Sequence, residues 1–430
     1  MGYVEFTREM KRDYTILVPN MLPMHFEMIV QVLRNYGYHL DLLRSSGHKI
    51  ADTGLKYCHN DACYPAILVI GQFIDALQSG KYDPHKTALI MFQTGGGCRA
   101  SNYIFLIRKA LEKAGYGYVP VISLNLLGLE KHSGFQLTPS KLIRMVYALI
   151  LGDLLMTLVN QTRPYEVEPG SARKLAARLT RELADEMAQK KVTYFWVRKA
   201  CGRVIQAFRQ LPVAPQEKVR VGVVGEIYVK FSPLGNNNLE DFLVSEGAEV
   251  SMPGLLDFFM CSCWCHMMDF KLYGMRKKEY LLQKIMLRYL VHKQRDQIQM
   301  LKRAGYHAPT PFLHVTELVE GYIGIGTEMG EGWLLPAEML ELYESGVKNI
   351  VCAQPFGCLP NHICGKGMMK PIKELCPEVN IVAIDYDAGA SRVNQENRLK
   401  LMLANARLNE REAAGPREAG QTAKESPSVA

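Results

Sequence analysis

Asn349-Ile-Val-Cys-Ala353 leads directly into Gln354-Pro-Phe-Gly-Cys-Leu-Pro-Asn-His-Ile-Cys-Gly-Lys-Gly367, and these two segments decide the fold that is expected for the rest of the chain. The first is an apolar, β-rich run, which is typical of a buried strand. Met368 to Leu375 follows with the composition of a helix. Cys358 therefore lies between a strand and a helix, on a turn shaped by glycine and proline. Because a helix N-terminus favours a thiolate, this cysteine is well placed to bind a metal or cluster.

Two earlier segments have the same construction, a cysteine on a turn that contains glycine or proline. They are Asn60-Asp-Ala-Cys-Tyr-Pro65 and Thr94-Gly-Gly-Gly-Cys-Arg-Ala-Ser-Asn102. Iron–sulfur clusters require thiolates on a backbone whose amides are free to donate hydrogen bonds to the sulfides. We therefore expect Cys63, Cys98 and Cys358 to converge on one cluster. The sequence contains no Cys-x-x-Cys pair, so the three must meet through the fold, one loop from each of three strands.

The remaining cysteines leave alternatives open. Cys58 and Cys364 are each candidates for a fourth ligand. Cys261-Ser-Cys-Trp-Cys265, followed by a histidine, is a candidate zinc or thiophilic-metal site. On a helix, Cys261 and Cys265 share a face but Cys263 does not, and the flanking phenylalanines and methionines favour a buried apolar segment instead. We expect core positions or no role for Cys201, Cys352 and Cys376.

Composition sets limits on the class of protein. The 430 residues are enough for two or three domains, and 48% hydrophobic with 22% charged residues is ordinary for a globular chain. The net charge of +8 is dispersed, which disfavours nucleic-acid binding but is compatible with an anionic ligand such as a nucleotide or CoA ester. No signal peptide opens the sequence, and the most apolar run, 142–159, contains Arg144 and Asp153. We expect a cytoplasmic protein without a membrane span or structural disulfides.

Strands and helices are predicted to alternate in two parts of the chain, which indicates two open parallel α/β domains with a helical insert between them. In such sheets, ligands bind outside the carboxyl ends of the strands. The predicted boundaries are a first α/β domain at 1–137, a helical insert at 138–215, a second α/β domain at 216–408 and a disordered tail at 409–430.

Polar residues near the predicted strand ends are candidates for contact with a substrate or for tuning of a bound cluster. They are Arg99, Asn102 and Glu226. Gly95-Gly-Gly-Cys-Arg99 is alternatively an anion cradle, although it matches neither the nucleotide P-loop nor the Gly-x-Gly-x-x-Gly pattern. Gly-x-Ser-x-Gly and His-Glu-x-x-His are both absent from the sequence, which argues against the corresponding hydrolases.

In these loops the sequence resembles the 2-hydroxyacyl-CoA dehydratase family, in the activase-related branch that also forms the C-terminal part of very large activase fusion proteins. The motifs that carry the resemblance are Gly54-Leu-Lys-Tyr-Cys-His-Asn-Asp-Ala-Cys-Tyr-Pro-Ala66, Ile70-Gly-Gln72, Thr94-Gly-Gly-Gly-Cys-Arg-Ala-Ser-Asn-Tyr103, Gly225-Glu-Ile-Tyr228, Asn236-Asn237, Gly330-Glu-Gly-Trp-Leu-Leu335 and Gln354-Pro-Phe-Gly-Cys-Leu-Pro-Asn-His362.

The resemblance implies flavodoxin-like domains whose loops supply three cysteines to a 4Fe-4S cluster, and by motif these are Cys63, Cys98 and Cys358. It implies a separate ATP-dependent activase as electron donor, an acyl-CoA substrate that loses its hydroxyl group through a ketyl radical, and assembly into a homo- or hetero-oligomer. An alternative within the family is a double-cubane-cluster reductase of small molecules, which would use Cys58 or Cys364 as well. Outside the family, a non-catalytic metal-binding scaffold and a metal-free phosphate-binding enzyme remain alternatives.

Overall fold

A computed structural model describes residues 3–93, 97–124, 130, 132–189, 192–214, 216–275 and 277–413. Its strands are β1 (Thr15–Val18), β2 (His39–Leu42), β3 (Thr87–Phe92), β4 (Val121–Leu124), β5 (Val219–Gly225), β6 (Ala248–Ser251), β7 (Asn349–Pro355) and β8 (Asn380–Tyr386).

The α-helices of these residues are α1 (Met10–Asp13), α2 (Pro23–Arg34), α3 (His48–Tyr57), α4 (Tyr64–Gln78), α5 (Tyr103–Ala114), α6 (Pro139–Thr162), α7 (Ser171–Gln189), α8 (Tyr194–Arg209), α9 (Ile227–Phe231), α10 (Leu239–Ser245), α11 (Leu255–Tyr273), α12 (Lys277–Arg303), α13 (Phe312–Leu318), α14 (Leu334–Glu344), α15 (Met369–Leu375) and α16 (Arg392–Ala413). Short 3-10 turns cover Pro84–Lys86, Arg99–Asn102 and Arg163–Tyr165, and a π-helical turn covers Asn361–Lys366.

The strands form two four-stranded sheets in which every pairing is parallel, with the orders β2-β1-β3-β4 and β6-β5-β7-β8. Both sheets therefore have the flavodoxin-like order, in which the chain changes direction between the first and third strands of each sheet. The predicted fold class, two open parallel-sheet α/β domains, is confirmed. Each change of direction opens a crevice at the carboxyl edge of its sheet, beside β1 and β3 in one and β5 and β7 in the other.

The helical insert predicted at 138–215 contains α6, α7 and α8, but it is only part of the helical layer. Helices α11 and α12, from the second half of the chain, pack against α6, and α12 also packs against α8. The shared core includes Leu154 of α6, Cys201 of α8, Met260 of α11 and Leu290 of α12. Two separate segments of the chain therefore build this layer.

Four other details differ from what the sequence pattern predicts. The segment between β2 and Cys63 has the pattern of a loop, but its residues 48–57 form helix α3, and the asparagine- and glycine-rich segment after β5, also predicted as a loop, begins with the short helix α9. The charged residues 1–13 predict a loose arm, but Phe6 is fully buried and its backbone bonds to His132 and Gly134. Helix α16 continues to Ala413, so the tail boundary predicted at residue 409 lies inside a helix; residues 414–430 lie outside the described residues.

One helical run of the described residues, Pro139–Tyr165, has the length and apolar composition of a membrane span. Of its most apolar 18-residue window, 72% is buried inside the protein. A helix in a protein core meets the same criteria of length and composition, so this run is weak evidence for a membrane span.

Helices α3 and α4 cross with their backbones in contact, and this crossing places the start of α4. A Cβ atom added at Gly54 would overlap the carbonyl oxygen of Ile67, and one added at Gly71 would overlap the carbonyl oxygen of Ile50. Only glycine allows two helix backbones to approach this closely. The position of Cys63, the residue before α4, therefore depends on these two glycines.

We expect Gly71→Ala to lower the free energy of unfolding by about 1–3 kcal/mol, because its methyl group forces the two helices apart. Urea denaturation of the metal-free protein measures the change. The matched control is Gly202→Ala in α8, where the nearest heavy atom to the new methyl is 3.8 Å away, on Met300. That control should be neutral or stabilising by up to about 1 kcal/mol. Equal effects of the two substitutions would contradict the close crossing.

Candidate metal centre

The three predicted cysteines come from segments that meet at the carboxyl edges of the two sheets. Cys98 follows β3 and precedes a 3-10 turn, and Cys358 follows β7 and precedes the π-helical turn. Cys63 is the N-cap residue of α4. The expectation that each cysteine lies on a loop leaving a strand is wrong for Cys63, because helix α3 stands between β2 and this residue.

Hydrogen bonds join the Cys63 segment to both of the others. The Sγ atom of Cys63 lies 2.9 Å from the hydroxyl oxygen of Tyr103, the first residue of the helix that follows the Cys98 turn. The backbone N–H of Tyr64 donates to the carbonyl oxygen of Phe356, two residues before Cys358, at 3.0 Å. The structure therefore brings all three cysteine segments together, across the boundary between the two sheets.

Two glycines with left-handed backbone conformations allow this approach. At Gly357, with φ of 74°, an added Cβ would lie 3.2 Å from the Cα atom of Cys63 and 3.4 Å from Nη1 of Arg99. At Gly330, with φ of 61°, it would lie 2.9 Å from Cγ of Pro360 and 3.8 Å from the Cβ atom of Cys98. The Gly330 loop thus forms a further wall of the site, beside Cys98 and the Cys358 turn.

The thiols are held in surroundings that disfavour negative charge. The pKa of Cys63 is raised to about 11, mainly by burial; the Tyr103 hydroxyl opposes this effect, and the neighbouring Glu226 and Cys98 add to it. Burial also raises the pKa of Cys358 well above its usual range, with Glu331 and Glu226 adding to the effect. Without a metal these two thiols are protonated at neutral pH, so binding of a metal must release protons.

Two carboxyl groups lie beside the cysteines and meet at the N-terminus of α9. Glu226 follows β5, and its carboxylate accepts a hydrogen bond from the backbone N–H of Val229 at 2.9 Å. Glu331 accepts from the backbone N–H of Ile227 at 2.8 Å. Burial raises the pKa of both side chains, and the Glu331 charge raises that of Glu226 further. These acids therefore retain protons at higher pH than exposed glutamates do.

Glu331 was not among the residues predicted from sequence. Its signal was an acidic residue between two glycines, Gly330 and Gly332, both of which have positive φ values of 61° and 49°. Paired glycines with this conformation indicate a tight turn whose backbone packs closely against neighbouring groups.

The other predicted polar residues lie at the mouth of the site. Arg99 is exposed, and its guanidinium passes beside Gly357. Asn102 is exposed at the N-cap position of α5. Residues 95 and 96, the first two of the predicted anion cradle, lie outside the described residues.

The two candidates for a fourth ligand face different surroundings. Burial raises the pKa of Cys58, and a backbone hydrogen bond with His59 and the charges of Lys113 and Lys109 lower it. Cys364 is 2% exposed on the π-helical turn, and Glu331 adds to the effect of burial in raising its pKa. The charges that act on the two thiols are therefore of opposite sign.

The alternative site on α11 has two thiols on one side. Cys261 and Cys265 are 3.8 Å apart, sulfur to sulfur, and His266 bonds to the carbonyl oxygen of Ser262 in its own helix. Within the described part of the chain, no three His, Cys, Asp or Glu side chains are arranged to hold a single metal ion.

The chain matches no known family model, and no protein of curated function matches it.

The high pKa of Cys63 predicts slow alkylation. The alkylation rate of Cys63 by iodoacetamide is measured in metal-free protein as a function of pH. The rate should reach half its maximum near pH 11, whereas an ordinary cysteine reaches it at about pH 8.5. Tyr103→Phe removes a hydrogen bond that favours the thiolate, so the midpoint should rise further. Mass spectrometry of the Cys63 peptide measures the reaction, with Tyr118→Phe, an exposed tyrosine stacked on His85, as the control. A midpoint near 8.5 in the native protein would show that the thiol is not held in this environment.

Proposed function

We propose that the chain is an iron–sulfur redox protein of the 2-hydroxyacyl-CoA dehydratase type, which receives low-potential electrons from a separate ATP-dependent activase. The observation that carries the proposal is the meeting of Cys63, Cys98 and Cys358, from three distant segments, in one partly buried place. Ordinary core cysteines do not need glycines of positive φ packed against them, and here Gly357 and Gly330 occupy that position.

The residues of the site fit a 4Fe-4S cluster held by three thiolates, with the fourth position open or filled by Cys364. When bound, the cluster supplies one-electron transfer at low potential. The chain provides the surroundings for that chemistry. The Tyr103 hydroxyl stabilises the thiolate of Cys63, and burial raises the proton affinity of Glu226 and Glu331 beside the cysteines. Arg99, exposed at the mouth, orients an anionic substrate such as a CoA thioester.

A partner surface lies next to these residues. Phe356, Leu359 and Ile363, from the segment that carries Cys358, are each about half exposed, and Met329 is 40% exposed. Large apolar side chains grouped at the surface are characteristic of protein interaction sites. An electron donor must come close to the centre, and this surface gives it a place to dock.

The test is iron and acid-labile sulfide per chain in protein purified without oxygen. We expect about four iron atoms per chain, as in one 4Fe-4S cluster, and their loss in Cys63→Ala, Cys98→Ala and Cys358→Ala. Cys58→Ala is the matched control, since this buried cysteine is five residues from Cys63 but faces the lysines of α5. It should retain the iron. Loss of iron in Cys364→Ala as well would assign the fourth ligand.

Other outcomes would replace the proposal. About eight iron atoms per chain would favour the double-cubane reductase. Zinc that persists when all three cysteines are replaced would favour a metal-binding scaffold at Cys261 and Cys265. Colourless protein whose melting temperature rises with nucleotide would favour a metal-free phosphate-binding enzyme.

A further inference from the structure

A buried ion pair lies behind the candidate metal centre. The ammonium nitrogen of Lys230, on α9, is 2.8 Å and 3.1 Å from the two carboxylate oxygens of Glu338, on α14. The side chains are only 5% and 3% exposed. Removing two charges from water costs more free energy than such a pair commonly returns. Stability alone therefore does not account for this pair, and its place in the fold is informative.

On one side, the pair leads toward the cysteines. Ile227, whose backbone N–H binds the Glu331 carboxylate, is one helical turn before Lys230 on α9. Residues three apart on a helix lie on the same face. Lys230 therefore lies one turn of α9 away from the carboxyl group of Glu331.

On the other side, the pair leads to a cavity. Glu341 is one turn beyond Glu338 on α14, is 5% exposed, and accepts a hydrogen bond from the backbone N–H of Thr310 at 3.1 Å. It lines a cavity of about 340 Å³ whose other polar walls include Asn160, Gln161 and Ser251. A polar cavity of this size holds several water molecules.

We propose that Glu341, Glu338, Lys230 and Glu331 form a proton path from the water of this cavity to the carboxyl groups beside the three cysteines. The inference rests on the proposed function, because a redox centre is what gives such a path its use. Negative charge added near the cysteines raises the proton affinity of the nearest carboxylate, that of Glu331.

One cycle of the path moves one proton to Glu331 and restores the other three groups. The Lys230 ammonium gives a proton to the Glu331 carboxylate and becomes a neutral amine. The protonated Glu341 then gives its proton to the Glu338 carboxylate, Glu338 passes it to the Lys230 amine, which restores the ion pair, and Glu341 takes a proton from water in the cavity. One proton enters from the cavity for each proton that reaches Glu331, and no oxidant or reductant is consumed in the row itself.

Burial supports this assignment because it raises the proton affinity of the acids. It raises the pKa of Glu338, with Lys230 opposing the effect, and that of Glu341, with Glu338 adding to it. Asp257 faces both glutamates from α11, and burial raises its pKa well above the usual range. Asp257 accepts a hydrogen bond from Gln294 at 2.7 Å, so it has a partner of its own and is not a member of the proposed path.

Other charged groups flank the row but are held elsewhere. Asp153 accepts hydrogen bonds from the N–H groups of Leu255 and Leu256 and bonds to His25. Arg220, Lys302 and His307 line the cavity, while Glu226 caps α9 at the other end.

The first experiment uses metal-free protein, so it does not depend on the cluster. Protein is mixed rapidly into heavy water, and infrared spectroscopy follows deuterium exchange at the buried carboxyl groups through their C=O band. We expect Glu341→Gln and Glu338→Gln to slow exchange at the remaining acids by about tenfold or more. Glu344→Gln, an exposed glutamate one turn beyond Glu341 that pairs with His314, should leave the rate unchanged.

Glu338→Gln leaves Lys230 buried without its partner, so Lys230→Met combined with Glu338→Leu provides a second variant that removes both charges. It should fold and exchange slowly at Glu331. Exchange as fast as in the wild-type protein in all of these variants would overturn the path, as would equal slowing by Glu344→Gln.

The second experiment uses iron-loaded protein reduced by a light flash, with a pH-indicator dye to record proton uptake. Uptake in the wild-type protein should slow in Glu341→Gln while iron content stays the same. Wild-type protein that takes up no proton on reduction would overturn the path. Wild-type protein without iron would overturn the proposed function instead, and the exchange experiment would still decide whether the row conducts protons.

Discussion

The contact between the carboxyl edges of the two sheets is the constraint on which the site depends. One backbone hydrogen bond, from Tyr64 to Phe356, joins a helix start in the first domain to a strand end in the second. Apolar residues of both sheets, among them Leu89 of β3 and Val351 of β7, share one core behind it. Neither sheet alone brings the cysteines together, because Cys63 and Cys98 belong to the first half of the chain and Cys358 to the second.

This arrangement concentrates groups that are costly to bury. Thiols and carboxyl groups crowd the space between the sheets, and burial raises the pKa of Cys63, Cys358, Glu226 and Glu331. A metal-free interior would be more stable with apolar side chains at these positions. A bound cationic group would make the burial of these side chains favourable, since positive charge stabilises thiolates and carboxylates together. The cost of burial is therefore an argument that the site is built for a ligand.

Local sequence patterns predicted most of the scaffold. The continuous apolar run at 87–92 predicts a strand with the bounds that β3 has, and a glycine after an apolar helical pattern predicts the end of α5 at Gly115, where φ is 84°. Helix α3 was missed because Gly54, a poor helix former, stands in it for the sake of a contact with α4. Helix α9 has only five residues, and Glu331, 104 residues away, caps its first turn. No local pattern contains that contact.

The distinction between local patterns and long-range contacts also explains which parts of the site could be predicted. Turn chemistry around Cys63, Cys98 and Cys358 is local, so the sequence could single out all three as candidates, and the structure brings their segments together. Glu331 and the pair of Lys230 with Glu338 depend on partners more than 100 residues away, and no spacing in the sequence relates them. Lys230 follows a strand end in the sequence, a position that is compatible equally with a cleft and with a loop held by its own side-chain bonds, whereas the structure buries it.

The two sides of the centre are chemically opposite, and this division is consistent with coupled delivery of electrons and protons. The outer side presents exposed apolar residues, including Phe356 and Leu359, whereas the inner side carries buried acids and one lysine. An electron can pass between proteins only where they are in close contact, and an apolar surface excludes water there. A proton instead moves over short steps between titratable groups, and needs an uninterrupted row of them. Under the proposed function, electrons would reach the cysteines from the outer face and protons from the inner one, so a partner bound on the outer face would not obstruct proton supply.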